Sequence, residues 1–258
     1  MPEGRVLITR PAGQGAGLIG RLEGLGFQAS HQPMLELVAQ AAPDAVQRSL
    51  LLDLDQYQHV IFVSANAVRF GMGWIEDFWP QLPVGIAWYT VGMASANALA
   101  AYGITASTPG ADMSSEGLLG LDGLLEPRDE RVLLVKGEGG RQTLGSELKR
   151  RGARVDELAC YRRQAPALAG GELARVLADQ RIEIVVLSSG EGLDNFLALL
   201  SPVESTKLVG IEILVPSERV AQQARERGLQ GVRVSLNASD EAVTSALLEW
   251  RDGAGDNE

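Results

Sequence analysis

The chain has 258 residues, and at about 150 residues per domain this length predicts one large or two modest domains. Its 23 Lys and Arg residues against 33 Asp and Glu residues give a formal net charge of −10, and aromatic residues make up only 5%, which argues against a binder of nucleic acid or anionic membranes. Because Cys160 is the only cysteine, an intramolecular disulfide and a Cys-rich metal site are excluded. The two histidines, His31 and His59, argue against a multi-histidine metal centre.

The N-terminal segment MPEGRVLITRP carries an acidic residue and an apolar run of only three residues, so it does not read as a secretory signal. The longest uncharged stretch, 78–111, is interrupted by prolines and glycines. A membrane helix needs about 20 mostly apolar residues, so this stretch predicts a buried strand, a glycine turn and a helix. We expect a soluble, cytoplasmic protein.

Short apolar runs, many of them β-branched, predict strands buried on both faces of a parallel sheet. Amphipathic helices lie between them, as in TLGSELKRRG, where Leu144 and Leu148 are four residues apart and Gly152 ends the helix. This alternation predicts an α/β fold with two doubly wound units. The six predicted strands are 6–9, 60–63, 86–91, 132–135, 184–187 and 213–215.

An internal repeat organises the chain. RVLITR (5–10) matches RVLLVK (131–136) at a shift of 126 residues, and VIFVSANAV from Val60 matches VVLSSGEGL from Val185 at a shift of 125. The same shifts pair Leu35 with Tyr161 and the SEGLL segment with DEAVTSALL. Several matches in order at a nearly constant shift predict a duplicated unit of about 125 residues.

Loops rich in Ser, Thr, Gly, Arg or Lys follow the predicted strands. At the carboxyl edge of a parallel sheet, helix N-termini offer free N–H groups to a ligand. The loop KGEGGR lacks the third glycine of a dinucleotide fingerprint and the GK[ST] ending of a P-loop, which leaves a plain glycine turn or a non-nucleotide anion site. Lys136 and Arg141 favour the anion site. The loops are 9–11, 64–66, 90–92, 136–141, 188–190 and 216–219.

Basic residues are concentrated in 131–163, where nine basic and four acidic residues give +5. We interpret 149–151 as complementing a helix dipole on a solvated face. Arg10, Lys136 and Arg141 lie in loops and are the better ligands for an anion.

A hydrolytic nucleophile is poorly supported. Five serines occupy positions at which a helix N-cap is predicted, and none of them lies in a GxSxG motif. His31 and His59 lie outside the loops and are interpreted as structural, and Cys160 as an inert residue beside a strand. The serines are Ser64, Ser114, Ser189, Ser217 and Ser239.

Tyr161 lies in ELACYRRQAP, where the second strand of a repeat would leave its domain. Two interpretations stay open at this point. The tyrosine either packs at a hinge or presents its phenol to a cleft.

Taken together, the segments VLITRP, FVSANAV, TVG, SSEGLL, LLVKGEGGR, ACYRR, LSSGEG, PSERVA and SDEAV resemble the uroporphyrinogen-III synthase family in order and spacing, over essentially the whole chain. The resemblance implies a cofactor-free lyase of tetrapyrrole and heme biosynthesis. Its substrate is hydroxymethylbilane, a linear tetrapyrrole with acetate and propionate groups. The enzyme cyclises it with inversion of ring D and loss of water, through a spiro intermediate held in a cleft between two domains.

The resemblance also implies the site. Tyr161 corresponds to the family tyrosine and is the candidate for assisting departure of the hydroxyl group. Hydroxyls, backbone N–H groups and cations of the loops would bind the substrate carboxylates. These substrate-binding candidates are Thr9, Arg10, Ser64, Asn66, Thr90, Gly92, Lys136, Gly137, Arg141, Ser188, Ser189, Ser217 and Arg219.

The resemblance further implies two flavodoxin-like domains with exchanged segments. Residues 1–35 would join 166–258 in one domain, 42–158 would form the other, and 36–41 and 159–165 would be the linker strands. The sequence alone does not separate this exchange from two sequential domains. We expect a monomer that binds no metal, nucleic acid or membrane, and the resemblance leaves open a transient contact with the preceding pathway enzyme.

The alternative is a non-catalytic, two-lobed protein of the same architecture that binds small anions. It predicts tight binding of product-like anions without any effect on which isomer forms.

Overall fold

The computed structural model describes residues 4–110, 112–139, 142–205, 208 and 210–253. The chain divides into two compact units, unit 1 (Met1–Leu37 with Gln164–Glu258) and unit 2 (Val38–Arg163). Each unit contains a five-stranded sheet with helices on its faces.

The described strands and helices alternate along most of the chain. In chain order they are β1 (Arg5–Ile8), α1 (Ala16–Gly24), β2 (Gln28–His31), β3 (Glu36–Ala39), α2 (Ala45–Leu52), β4 (His59–Phe62), α3 (Ala65–Phe78), β5 (Ala87–Thr90), α4 (Met93–Ala100), α5 (Ser115–Leu119), α6 (Asp122–Leu125), β6 (Arg131–Gly137), α7 (Thr143–Arg150), β7 (Arg154–Gln164), α8 (Glu172–Asp179), β8 (Ile184–Val186), α9 (Gly190–Ala198), α10 (Pro202–Ser205), β9 (Glu212–Val215), α11 (Glu218–Glu226), β10 (Val232–Val234) and α12 (Asp240–Gly253).

The sheet of unit 1 has the strand order β2–β1–β8–β9–β10, and its neighbouring strands are parallel. The sheet of unit 2 has the order β3–β7–β6–β4–β5, with parallel pairing between β7, β6, β4 and β5. A parallel bridge from Tyr89 to Ser107 continues the sheet beyond β5. The prediction of an α/β fold with parallel sheets is confirmed.

Alternating side chains of β1 explain why helices cover both faces of the unit 1 sheet. Leu7 packs on one face in a cluster with Phe196 of α9, whereas Val6 and Ile8 pack on the other with Leu18 of α1. Because successive strand residues point to opposite faces, an all-apolar strand needs cover on both sides. Each fully buried side chain of this kind contributes about 1.5–3 kcal/mol relative to leaving it exposed.

The six predicted strands lie within one or two residues of β1, β4, β5, β6, β8 and β9. The others carry weaker signals. β2 reads QASH and β10 reads VRV, and both lie at sheet edges, where burial is incomplete. Segment 159–165, expected as a linker strand, begins within β7, whose residues Arg154 to Tyr161 pair with β6, and β3 lies beside β7.

Serines begin four helices as the sequence predicts. Ser64, Ser114, Ser189 and Ser239 each accept a hydrogen bond from the backbone N–H three residues on, at 3.0 to 3.2 Å. Ser217 stands at the N-cap position of α11, but its side chain makes no capping hydrogen bond to the described residues. Within the described residues, no helix is both long and apolar enough to cross a membrane.

Candidate functional site

A cavity of about 360 Å³ lies in unit 2 at the carboxyl ends of β4, β5 and β6. This is the edge of a parallel sheet at which ligands bind in folds of this class. Its lining combines apolar, hydroxyl and charged groups, and it includes three of the predicted site residues, Lys136, Gly137 and Tyr161. The full lining is Val63, Val91, Ser115, Leu134, Lys136, Gly137, Glu138, Gly139, Gln142, Leu144, Gly145, Glu157, Tyr161 and Arg163.

Tyr161 is held firmly at this cavity. Its side chain is 2% exposed, and its ring lies 5.2 Å from that of Phe70 on α3. Its hydroxyl is 3.3 Å from Oγ of Ser64, the residue that caps α3. Because Ser64 Oγ accepts the Ala67 N–H, its own proton stays available to the phenol oxygen, and the phenol can equally donate to it.

Gly137 makes room for that ring. A Cβ atom at Gly137 would lie 2.7 Å from Cε2 and Cζ of Tyr161, closer than real Cβ contacts. The two residues are paired across β6 and β7 where the register shifts after Lys136. The Glu138 N–H donates to the Tyr161 carbonyl at 2.8 Å, which fastens the loop after β6 to β7. Position 137 therefore requires glycine because a side chain there would collide with the Tyr161 ring, whether or not the N–H group of Gly137 also binds a ligand.

Lys136 is buried, and its Nζ lies 2.9 Å from Oε2 of Glu157 on β7. A buried ammonium group is costly unless it is paired, and this carboxylate supplies the pairing. Glu157 was not singled out from the sequence, because its position opposite Lys136 depends on strand register. Lys136, which led us to predict an anion site, is therefore already ion-paired with another residue of the cavity wall.

The remaining candidates of unit 2 lie at the same edge of its sheet. Asn66 is in the first turn of α3. Thr90 is fully buried, and its hydroxyl donates to the carbonyl of Gly92, which precedes α4, at 3.2 Å. Arg141 lies outside the described residues.

In unit 1, two candidates at the end of β1 have partners of their own. Thr9 is buried and its hydroxyl donates to the Val186 carbonyl at 2.7 Å, which ties β1 to β8. Arg10 forms an ion pair with Asp240 at the start of α12 and donates to the Ala238 carbonyl at 2.7 Å. The guanidinium group of Arg10 is therefore already bound by the segment that begins α12.

His31 is a residue at this edge that the sequence did not place there. It ends β2, and its Nε2 lies 2.8 Å from the Arg10 carbonyl oxygen. Because the sequence of β2 is polar, it did not predict a strand, and the residues at its carboxyl end were not included among the candidate loops. The sequence did not show that β2 pairs in parallel with β1, which is what brings His31 to this edge of the sheet.

The other candidates of unit 1 lie at the starts of α9 and α11. Ser188 and Ser189 are half-buried, and Ser189 caps α9. Ser217 and the exposed Arg219 begin α11. A Cβ at Gly190 would lie 3.7 Å from Nη1 of Arg219, so the first turns of the two helices are neighbours.

A larger cavity, of about 720 Å³, lies at the opposite edge of the unit 1 sheet. Its lining includes Arg5, Gln28 and Ile182, which stand at the amino ends of β1, β2 and β8, and it contains none of the predicted site residues. The part of the chain that is described holds no cluster of three His, Cys, Asp or Glu side chains suited to a metal ion.

Comparisons with known proteins agree on one family. The family model described as "Uroporphyrinogen-III synthase HemD" matches residues 17–245. The chain is 34% identical over 245 residues to a uroporphyrinogen-III synthase of Salmonella typhimurium, and 33% identical over 248 residues to that of Escherichia coli. Each match covers 94% of this chain and 99% of the relative.

Solved structures are similar in fold. The uroporphyrinogen-III synthetase of Helicobacter pylori matches with a TM-score of 0.62 at 13% identity, covering 95% of this chain and 99% of that one. A mutant uroporphyrinogen III synthase of Thermus thermophilus matches with a TM-score of 0.58 at 18% identity, covering 98% and 99%.

Proposed function

The chain belongs to the uroporphyrinogen-III synthase family, and we propose that it cyclises hydroxymethylbilane to uroporphyrinogen III, with inversion of ring D and loss of water. The observation that carries this proposal is 34% identity to a relative of that name, extending over 94% of this chain. Because nearly the whole chain is aligned, the activity named for the relative is proposed for the entire protein.

The first chemical step needs a proton donor. When the C–O bond of the hydroxymethyl group on ring A breaks, the leaving oxygen must take a proton, and a cationic azafulvene remains. We propose Tyr161 as that donor, because Tyr161 lines the cavity. Its hydroxyl also lies 3.3 Å from Oγ of Ser64, which can return a proton to the phenol.

After the leaving step, a ring D carbon attacks the cation to form a spiro intermediate, which fragments and recloses with ring D inverted. The protein's contribution is to hold the chain coiled for this route. Uncatalysed closure gives the non-inverted isomer, and since about 1.4 kcal/mol is tenfold in rate, a modest preference is enough for selectivity.

Carboxylate binding is proposed for the loop residues at the carboxyl edges of the two sheets. Arg10 and Lys136 already have acidic partners, so a substrate carboxylate would have to displace Asp240 or Glu157 to meet these cations directly. Hydroxyl and N–H groups therefore carry more of the proposed binding, and the hydroxyls of Thr9 and Thr90 would have to leave the Val186 and Gly92 carbonyls to take part. They belong to Thr9, Ser64, Asn66, Thr90, Gly92, Gly137, Ser188, Ser189 and Ser217, with Arg141 and Arg219 as the other cations.

We also propose that the chain arose from a duplicated unit and folds with exchanged segments: 1–35 with 166–258, and 42–158, joined by 36–41 and 159–165. The strand orders support this. β2–β1–β8–β9 of one sheet and β7–β6–β4–β5 of the other coincide when segments about 125 residues apart are matched. In both sheets the central pair combines strands from the two halves of the sequence.

The proposal extends to the setting of the enzyme. We place it in the cytoplasm as a monomer that receives its unstable substrate by a transient contact with the preceding pathway enzyme. The reactivity of the linear tetrapyrrole, which closes by itself to the wrong isomer, supports such a hand-over.

The test is to supply the purified chain with freshly made hydroxymethylbilane, oxidise the products and separate the type I and type III isomers. We expect type III to dominate, whereas heat-denatured protein should give type I. A native chain that binds uroporphyrin tightly yet leaves type I as the product would contradict catalysis and support a non-catalytic anion binder.

A further inference from the structure

A chain of amide groups runs from the start of α2 to the loop after β6. Gln47 is buried, and its Oε1 accepts the Asp44 N–H at 2.9 Å. Its Nε2 donates to the Ala159 carbonyl at 2.8 Å and to Oε1 of Gln40 at 2.9 Å. Nε2 of Gln40 in turn donates to Oε1 of Glu138 at 2.6 Å. All of these residues belong to unit 2.

The direction of each hydrogen bond is dictated by its neighbours. Both N–H groups of the Gln47 amide are used as donors, so Gln40 must present its oxygen to Gln47. The nitrogen of Gln40 is then left to face Glu138, and it can only donate. A carboxylate is the partner that such a donor holds best.

Glu138 lies where a free negative charge would be harmful to the proposed function. It lines the cavity with Gly137 and Gly139, in the loop proposed to bind an anionic substrate. The Gly139 N–H makes no hydrogen bond to the described residues and is available to a ligand. A carboxylate that swings over this N–H group would compete with, and repel, a substrate carboxylate.

We propose that Gln40 and Gln47 are positioning residues that hold the Glu138 carboxylate aside, so that the loop over 137–139 stays receptive to a substrate carboxylate. This inference rests on the proposed function of the loop. It assigns the two glutamines a role in substrate affinity, with no role in the chemical step. Releasing Glu138 should therefore raise KM and leave kcat nearly unchanged.

The experiment is a double-mutant cycle between Gln40→Leu and Glu138→Gln, read as KM and kcat for type III formation. Removing the Gln40 donor should raise KM by about fivefold at low salt, the size expected for a like charge about 4 Å away in water. In the Glu138→Gln background, the same Gln40→Leu change should raise KM less than about twofold, because no charge is released. The fivefold rise should shrink when salt is added.

Two further variants keep the experiment interpretable if Gln40→Leu folds poorly. Gln40→Glu keeps the shape and still accepts from Gln47, but it cannot donate to Glu138, so it should also raise KM. Gln56→Glu adds the same charge at an exposed position next to the amino end of β4 and controls for net charge alone. Thermal melting of each variant identifies loss of structure.

A structural role for the network would raise KM equally in both backgrounds, and that result would overturn the proposal, as would an unchanged KM for Gln40→Leu. The same cycle is repeated on the dissociation constant of uroporphyrin III, a stable macrocycle with the same acetate and propionate groups. If the wild-type chain bound uroporphyrin III but formed no type III product, the proposed function would fail, and the binding cycle would still decide the role of Gln40.

Discussion

The hydroxyl of Tyr161 lies 3.3 Å from Oγ of Ser64, although the two residues are 97 positions apart in the sequence. Tyr161 reaches this point from β7, and Ser64 reaches it as the N-cap of α3. The pairing joins a candidate proton donor to a helix N-terminus, where negative charge is favoured. A phenol that gives up its proton would therefore have a donor and a favourable dipole beside it.

Replacing Tyr161 with Phe should slow type III formation by about a hundredfold, because it removes the proposed proton donor while the ring keeps its contacts with Phe70. The dissociation constant of uroporphyrin III should change less than about twofold. Steady-state kinetics and fluorescence titration check the two parts. Tyr102→Phe, in the turn after α4, is the matched control. Wild-type turnover in Tyr161→Phe would remove the tyrosine from the mechanism while leaving the family membership intact.

Adding one methyl group at Gly137 should displace the Tyr161 ring. The new Cβ would lie 2.7 Å from two ring atoms, so the ring or the strand must move. We expect Gly137→Ala to lower kcat by about tenfold to a hundredfold, the loss typical of a misplaced catalytic group. Turnover is compared with that of Gly73→Ala, where an added Cβ meets nothing within 4 Å. Equal turnover in the two variants would show that the ring position is unimportant.

Gly71 and Gly73 on α3 form a matched pair for stability. A Cβ at Gly71 would overlap Val135 Cγ1 and approach Phe62 Cε1 to 3.3 Å, whereas Gly73 faces open space. Gly71→Ala should cost about 1–3 kcal/mol through overpacking. Gly73→Ala should gain about 0.5–1 kcal/mol from helix propensity. Urea denaturation of both variants measures the free energies of unfolding, and changes of the same sign would contradict this account.

Cys160 should make stability depend on alkaline pH. Burial raises the pKa of its thiol from the ordinary 9.0 to about 12. Above pH about 9 the unfolded chain loses this proton while the folded chain keeps it, so the stabilising contribution is complete below that pH and is lost as the pH rises toward 12. The urea midpoint should therefore fall less between pH about 8 and about 10 in Cys160→Ala than in the wild type.

The same burial predicts that Cys160 reacts slowly with thiol reagents in the native chain. Its side chain is 1% exposed, and its Sγ lies 3.3 Å from the Lys136 carbonyl oxygen. Labelling with a chromogenic disulfide reagent should require opening of the fold and should become fast in urea. Rapid labelling of the native chain would show that β7 is more accessible than its packing indicates.

The charged residues show most clearly what could and could not be predicted from the sequence. Arg151 reads as part of a solvated basic helix end, yet its guanidinium donates to the carbonyls of Leu119 and Leu124, where two short helices end. Lys136 reads as a free cation, yet Glu157 neutralises it. In each case the partner lies on another element, and residue spacing along one element carries no information about it.

The buried strands and the helix caps followed from the sequence by itself, because each rests on a local requirement. A strand covered on both faces must be apolar throughout, and a helix start must satisfy its own N–H groups. The loops at the strand ends, including the one that follows β6, could be located for the same reason. Only the tertiary structure decided which residues meet there: Tyr161 with Ser64, Arg10 with Asp240, and Gln40 with Glu138. Those pairs depend on strand order and register, which are set by the packing of the whole unit.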